Sequence, residues 1–394
     1  MRNQYSSKRN NFLELGGLMK KNAVFFIVFS ILLSGCSTGS MFSKATDTPT
    51  PTITPTLTII PTDTPIPTNT PTPTRTATPT PTSTPLGSGT GKLVYVKTVE
   101  QPKKEDGEPI YVSNIYSYDL LTKTETQITN NTIDSSEFYY SGINCSPDGK
   151  GIVYSVSIPT LVYSDNSYYW NSLIYIMNSD GTNVTRLTSA PQFVGEFDGD
   201  SVIIEGYPVF IDNDNILFVS NRKNLANFEF ERLQPYIINL KTFEVSAPFT
   251  TYLDVSVLSM SPDKTKIAFM ATSGDSEIYI ADLSDQGKIT QITNNNFADR
   301  FPSFSPDGNW IVFHSDRDGN TELYKMKPDG SEVTRLTFNP ATDATASWSP
   351  DGQWLSFYSD QTGVYEAYIQ NIETGERIQV TNEGDQVSLV RWSP

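Results

Sequence analysis

One histidine and two cysteines in 394 residues remove whole classes of chemistry. A Ser-His-Asp triad or a histidine-rich metal site would have to be built on His314 alone. That residue falls in the slot filled elsewhere by Met270, Tyr358 and Val219, which predicts a packed side chain. No Gly-x-Ser-x-Gly elbow and no phosphate-cradling glycine loop occurs. Basic residues are also scarce, 28 Lys/Arg against 44 Asp/Glu, for a net charge of -16. Residues 1 to 85 hold 7 of the bases and only 3 of the acids, so the remainder carries 21 against 41. A phosphate backbone needs a basic footprint, so nucleic acid is a poor partner, whereas basic peptides, cations and neutral sugars stay open.

Long apolar runs are missing as well. Lys20-Lys21 precede Ala23 to Leu33, eleven residues that are apolar except for Ser30. That is too short to cross a bilayer but fits the apolar segment of a signal peptide. It ends in Leu33-Ser34-Gly35-Cys36, which resembles a bacterial lipobox. The resemblance implies a signal peptide over 1-35 (with Met19 as an alternative start), a lipidated Cys36 and residues 36-45 as the lipidated N-terminus, so the expected location is extracytoplasmic and membrane-anchored. With Cys36 acylated no intramolecular disulfide can form, and Cys145 aligns with Phe304, Trp348 and Met260 as a small buried hydrophobe. Residues 46-85 contain 18 Thr and 11 Pro with almost no charge, too little apolar surface to form a core. They read as a stiff stalk.

What remains, 86-394, is organised by a repeat. Pro262, Pro306, Pro350 and Pro394 are each 44 residues apart, in Ser261-Pro262-Asp263-Lys264, Ser305-Pro306-Asp307-Gly308, Ser349-Pro350-Asp351-Gly352 and the terminal Ser393-Pro394. A period of this length in strand-rich sequence predicts a propeller. In the clearest copy, Pro302 to Ser305, Trp310 to Ser315, Thr321 to Lys325 and Val333 to Thr337 read as four strands, with turns at Pro306-Asp307-Gly308 and Pro328-Asp329-Gly330. A closing threonine marks six such units, at Thr129, Thr188, Thr250, Thr293, Thr337 and Thr381. Ile211 to Asp214 is the weakest copy of the turn. The first unit lacks its first strand, and residues 388-394 supply one from the other end. The expectation is an all-β, six-bladed β-propeller of four-stranded antiparallel blades, closed by joining the C-terminal strand to the N-terminal blade.

The run from Phe304-Ser305-Pro306-Asp307-Gly308 through Arg335-Leu336-Thr337 resembles the repeats of TolB-type six-bladed propellers, over essentially all of residues 91-394. That resemblance implies the fold. It leaves function open, since such propellers serve as protein-binding modules, as gating domains of serine peptidases and, in a larger ring, as sugar lyases.

In an up-and-down blade both Asp-Gly turns fall on one face of the ring. The connections between strands two and three, and those between blades, fall on the other. All the long insertions (97-113, 156-171, 189-206 and 221-235) belong to this second face, over blades one to three, and loops on a rigid scaffold commonly carry recognition. Their aromatics Tyr163, Tyr168, Tyr169, Trp170, Phe228 and Phe230 are candidate contact residues, with a local mini-core as the alternative. Asp254, Asp299, Asp343 and Asp385, with Arg300, lie just before the inner strands on the same face. They are candidates for a cation such as Ca²⁺ or for a basic segment. The alternative is that each carboxylate accepts backbone N–H groups and fastens the blades. No other cofactor is implied, and a monomer is expected. The function so indicated is a non-catalytic protein- or ligand-binding module. A polysaccharide lyase or hydrolase using paired carboxylates, and a sensor domain serving a membrane partner, are the alternatives.

Overall fold

The computed structural model describes residues 91-102, 109-135, 138-162, 167-188, 204-221, 232-272, 275-382, 384 and 386-394. The signal segment, Cys36 and the Thr/Pro tract lie outside them. Six four-stranded antiparallel sheets account for the strands. The first comprises β1 (Lys92–Gln101), β2 (Ile110–Asp119) and β3 (Thr124–Gln127). Blade two follows as β4 (Tyr139–Cys145), β5 (Gly151–Val162), β6 (Ser167–Asn178) and β7 (Thr185–Arg186), and blade three as β8 (Glu205–Phe210), β9 (Asn215–Ser220), β10 (Gln234–Asn239) and β11 (Val245–Ser246). Blade four is β12 (Val255–Met260), β13 (Lys266–Thr272), β14 (Ser276–Asp282) and β15 (Lys288–Gln291). Blade five is β16 (Asp299–Phe304), β17 (Ile311–Ser315), β18 (Glu322–Met326) and β19 (Thr334–Arg335). Blade six is β20 (Asp343–Trp348), β21 (Trp354–Ser359), β22 (Glu366–Asn371) and β23 (Arg377–Gln379), and the chain ends in β24 (Gln386–Ser393).

β24 pairs antiparallel with β1, Lys92 opposite Ser393, and so supplies the first blade's missing inner strand as the repeat predicts. Each interface between neighbouring blades holds its own apolar cluster. Val94 and Ile115 meet Ile143 and Ile152 between blades one and two. Phe218 meets Ile174 between two and three, and Phe269 meets Leu217 between three and four. Phe313 packs on Ile280, Phe357 on Val312, and Trp354 on Leu93 and Trp392 across the closing seam. The core is therefore a ring of six seams, each placing one sheet's apolar face on the next.

The Ser-Pro-Asp-Gly unit is a latch with a visible mechanism. Ser305 Oγ accepts the Trp310 N–H at 2.9 Å and donates to Asp307 Oδ1, while Gly308 N–H reaches Ser305 O at 2.9 Å. Ser146, Ser261 and Ser349 repeat this geometry. Hydrogen bonds from Ser261 and Thr265 hold the Asp263 carboxyl down at about 2. The motif also joins blades: a Cβ on Gly308 would meet Pro262 of the preceding blade, one on Gly352 would meet Pro306, and one on Gly149 would meet Pro394. Where blade three loses the motif, Asp212 instead takes the Lys264 ammonium at 2.7 Å.

Two features depart from the strand assignments read in the sequence. The insertions 97-113 and 156-171 each continue their strands as a hairpin, β1 and β2 paired out to Gln101↔Ile110 and β5 and β6 from Ile158↔Asn171 to Val162↔Ser167. The first strand of the fifth blade begins at Asp299, earlier than Pro302, because it contains a β-bulge between Arg300 and Ser303. Every inner strand carries such a register shift. At five of them a non-glycine residue takes a positive φ: Tyr207, Val257, Phe301, Thr345 and Leu389, between 46° and 55°. That conformation is costly for β-branched and bulky side chains and bends the strand where it lines the axis.

Candidate binding face and axial channel

The connections between strands two and three, and those between blades, share one face, the loop face. Beneath it each blade carries a polar fastening. In blade five the buried Glu322, first residue of β18, accepts from Thr337 Oγ1 and from the Asn339 N–H at 3.0 Å, and Thr337 Oγ1 in turn accepts the Leu323 N–H at 2.9 Å. Glu277 with Thr293, and Glu366 with Thr381, repeat it. Asn114 takes the same place beside Thr129, and Gln234 accepts the Thr251 N–H. The closing threonines of blades one, two, four, five and six thus each accept a backbone N–H of the third strand, whereas in blade three the bond comes from Thr251. Burial raises the Glu277 carboxyl despite these bonds.

Asp299 and Asp343 open their inner strands and are fully buried. Arg317 Nη2 contacts both Asp299 carboxylate oxygens at 2.8 and 2.9 Å, and Asn295 donates to Oδ2 at 2.7 Å. Arg377 and Asn339 hold Asp343 at 2.7 and 2.8 Å. Asp254 precedes Val255, the residue occupying that slot in blade four, and accepts the Leu233 N–H at 2.7 Å; burial raises its carboxyl. Asp385 lies outside the described residues. Arg300 stands 4.0 Å from Asp316, and burial lowers its pKa. Asp299 and Asp343 therefore share one register position with a guanidinium on each, while Asp254 is offset by one residue. Among the described residues no three His, Cys, Asp or Glu side chains converge to hold a metal.

Of the aromatic candidates, Tyr168, Tyr169 and Trp170 lie on β6 opposite Leu161, Thr160 and Pro159. Tyr163, Phe228 and Phe230 lie outside the described residues. The loop face bears further aromatics that sequence reasoning passed over. Tyr252, Phe297 and Phe338 sit on three successive inter-blade segments and are 92%, 44% and 74% exposed. A signal was present, since each follows a closing threonine by one to four residues, at Thr250, Thr293 and Thr337. The Arg335 guanidinium covers the Phe338 ring at 4.9 Å.

Two concavities lie within the ring. One, of about 520 Å³, lies between blades one and two and is lined by Tyr140, Tyr154, Tyr175, Phe138, Ile158 and Asn131 among others. The other, about 90 Å³, lies on the axis and is lined by the inner strands, Tyr207, Val257, Phe301 and Leu389 of the bulges included. His314 supports the bulges of blades five and six. Its Nδ1 accepts the Thr345 N–H at 3.2 Å, its ring stacks on Phe301 at 5.2 Å, and burial presses its pKa down to about 3. The imidazole is neutral and structural. Cys145 is a free, buried thiol that burial pushes up to about 12.

Residues 217–346 match the family model described as TolB beta propeller domain. Over that stretch the ring is similar to a TolB propeller domain. The Tol-Pal system protein TolB of Francisella tularensis is 31% identical over 212 residues, covering 51% of this chain and 40% of that protein. Dipeptidyl-peptidase 5 of Porphyromonas endodontalis is 24% identical, covering 45% of this chain and 37% of the peptidase. The matches thus span about two fifths of the length of these relatives. Among solved structures, a putative TolB from Agrobacterium tumefaciens superposes with a TM-score of 0.52 at 17% identity, over 77% of this chain and 99% of that one. The nidogen/laminin complex reaches the same score at 8% identity, over 76% of this chain and 98% of that one. These structural likenesses are of fold. The ring's two faces differ: among the described residues one has short latched turns with a single exposed aromatic, Phe243, and the other has Tyr252, Phe297, Phe338 and the long blade-two hairpin.

Proposed function

We propose that the chain is a non-catalytic binding module whose loop face docks a protein partner, held outside the cytoplasm by lipid on Cys36 and spaced from the membrane by the Thr/Pro stalk. The observation that carries the reading is the asymmetry of the ring. Tyr252, Phe297 and Phe338 are exposed on successive inter-blade segments of one face, and aromatic anchors of this kind dominate protein interfaces. The fully buried carboxylates Asp299 and Asp343 of the same face already carry guanidinium partners, which suits fastening of the blades better than reaction with substrate.

Affinity capture from envelope extracts with the full chain tests the face. The Tyr252→Ala/Phe338→Ala and Trp170→Ala/Phe230→Ala pairs should each weaken recovery of the captured partner by about thirtyfold, a loss near 2 kcal/mol. Recovery equal to that of wild type with both pairs would sink the proposed face. Turnover of acidic or neutral glycans by the wild type, abolished in loop-face acid variants, would replace the binding reading with an enzymatic one. The anchor has its own measurement: Cys36→Ser should shift the protein from the membrane to the soluble fraction and end incorporation of labelled fatty acid. Unchanged fractionation would refute it.

A further inference from the structure

One layer of the axial cavity is built from equivalent residues of all six inner strands: Asn144, Val209, Ser259, Ser303, Ser347 and Arg391. The register fixes their equivalence: five are the next-to-last paired residue of their strand, opposite Val153, Leu217, Ala268, Val312 and Ser356, and Arg391, opposite Val94, is third from last because pairing in β24 runs on to Ser393. All six line the cavity of about 90 Å³, and no carboxylate does among the described residues. Five of the six bring hydrogen-bond donors. Ser259 Oγ accepts the Phe304 N–H at 2.9 Å and keeps its own proton to give; Asn144 Oδ1 accepts the Phe210 N–H at 3.1 Å, which leaves its NH₂. Ser303 and Ser347 add hydroxyls.

Arg391 is the exception in charge. Its Nη1 donates to Thr345 O at 3.2 Å and Val390 O at 2.9 Å, and its other nitrogens have no acceptor among the described residues. Arg317, Arg335 and Arg377 each hold a carboxylate, whereas the groups that couple to Arg391 are the neutral Cys145 and Tyr358. Burial without a counter-charge lowers its pKa to about 10. The guanidinium is half-buried, and a cation among donors with no carboxylate lining the same cavity suits an anion.

We propose that this ring is a binding site for a small monoanion, a halide or the carboxylate of a short-chain acid, with the Arg391 guanidinium as counter-charge and the Asn144 amide and serine hydroxyls completing the shell. The cavity has room for about three waters, which admits such an ion and excludes a sugar or a phosphate ester. The site stands apart from the loop face and does not depend on its function.

The test uses the full chain in sodium chloride, read by the line width of the chlorine NMR signal. Wild type should broaden the signal, and Arg391→Ser should bind about tenfold more weakly or worse. Serine already fills this slot in three blades, so the variant keeps a native arrangement; should it fail to melt cooperatively, Arg391→Asn repeats the residue of blade two. Added sodium formate distinguishes the sources: displacement of chloride assigns a carboxylate site, and persistence of the broadening restricts the site to halide. Equal broadening by wild type and a folded Arg391 variant, or none by wild type, would overturn the proposal.

Discussion

At the scale of single residues the polar groups under the loop face behave as fastenings, and their removal should be felt as stability. Asp299→Asn or Asp343→Asn leaves Arg317 or Arg377 beside an uncharged partner in a buried setting. Breaking such a pair typically costs about 3 kcal/mol or more, measurable by chemical unfolding. Calcium added to wild type and variants separates the two roles weighed for these acids. A rise in wild-type melting temperature that both variants lose would favour a cation site, and a calcium-independent loss the fastening. His314 offers a pH signature. Folded, it takes a proton only near pH 3, against 6.5 when unfolded. Between those values the unfolded chain binds more protons, so this contribution is complete above pH 6.5 and is lost as pH falls toward 3. His314→Met, which copies Met270 of blade four, should flatten the decline of stability between pH 6.5 and 5 by up to about 1.4 kcal/mol per pH unit. It should also cost about 1–3 kcal/mol at pH 7 for the orphaned Thr345 N–H. An unchanged slope would show that the imidazole is not buried neutral.

At the scale of elements, what the sequence makes legible is whatever a side-chain pattern controls. The 44-residue proline spacing, the Asp-Gly turns and the closing threonines reflect backbone demands that only particular residues meet, a latch hydroxyl or a left-handed glycine such as Gly308. The bulges had no such signature. Tyr207, Val257, Phe301, Thr345 and Leu389 are good strand formers held at positive φ by pairing on both sides, so local propensity points away from the conformation adopted. The same holds for the candidate site. Asp299 and Asp343 could be named from their position, but whether they face solvent or a guanidinium depends on Arg317 in one blade and Arg377, from a different strand, in the other. Arg391 was invisible for a further reason: its interest lies in interrupting a ring that exists only once the blades close.

For the whole molecule, closure is the most informative joint. A propeller is stable when each seam is buried on both sides, and here the last seam depends on nine terminal residues. β24 pairs with β1 and lays Val387, Val390 and Trp392 into the cluster with Trp354 and Leu93. Pro394 then meets Gly149 of blade two, where an added Cβ would fall 2.4 Å from the Pro394 carbonyl oxygen. The Ser-Pro latch thus continues across the seam, and the terminal Ser393-Pro394 is the first blade's share of it. A chain ending before Gln386 would leave β1 with an open edge and two faces of exposed aromatic and aliphatic surface. It should lose cooperative unfolding and associate through that edge, as seen by light scattering alongside circular dichroism. A peptide of residues 386–394 added in excess should restore the cooperative transition. Gly149→Ala probes the same joint more gently. It should lower stability by more than Gly352→Ala, where φ is nearly the same, +70° against +68°, but the nearest neighbour stands 3.7 Å away. Equal losses in the two variants would mean that the cost lies in the backbone angle alone and that the seam does not bear on Pro394.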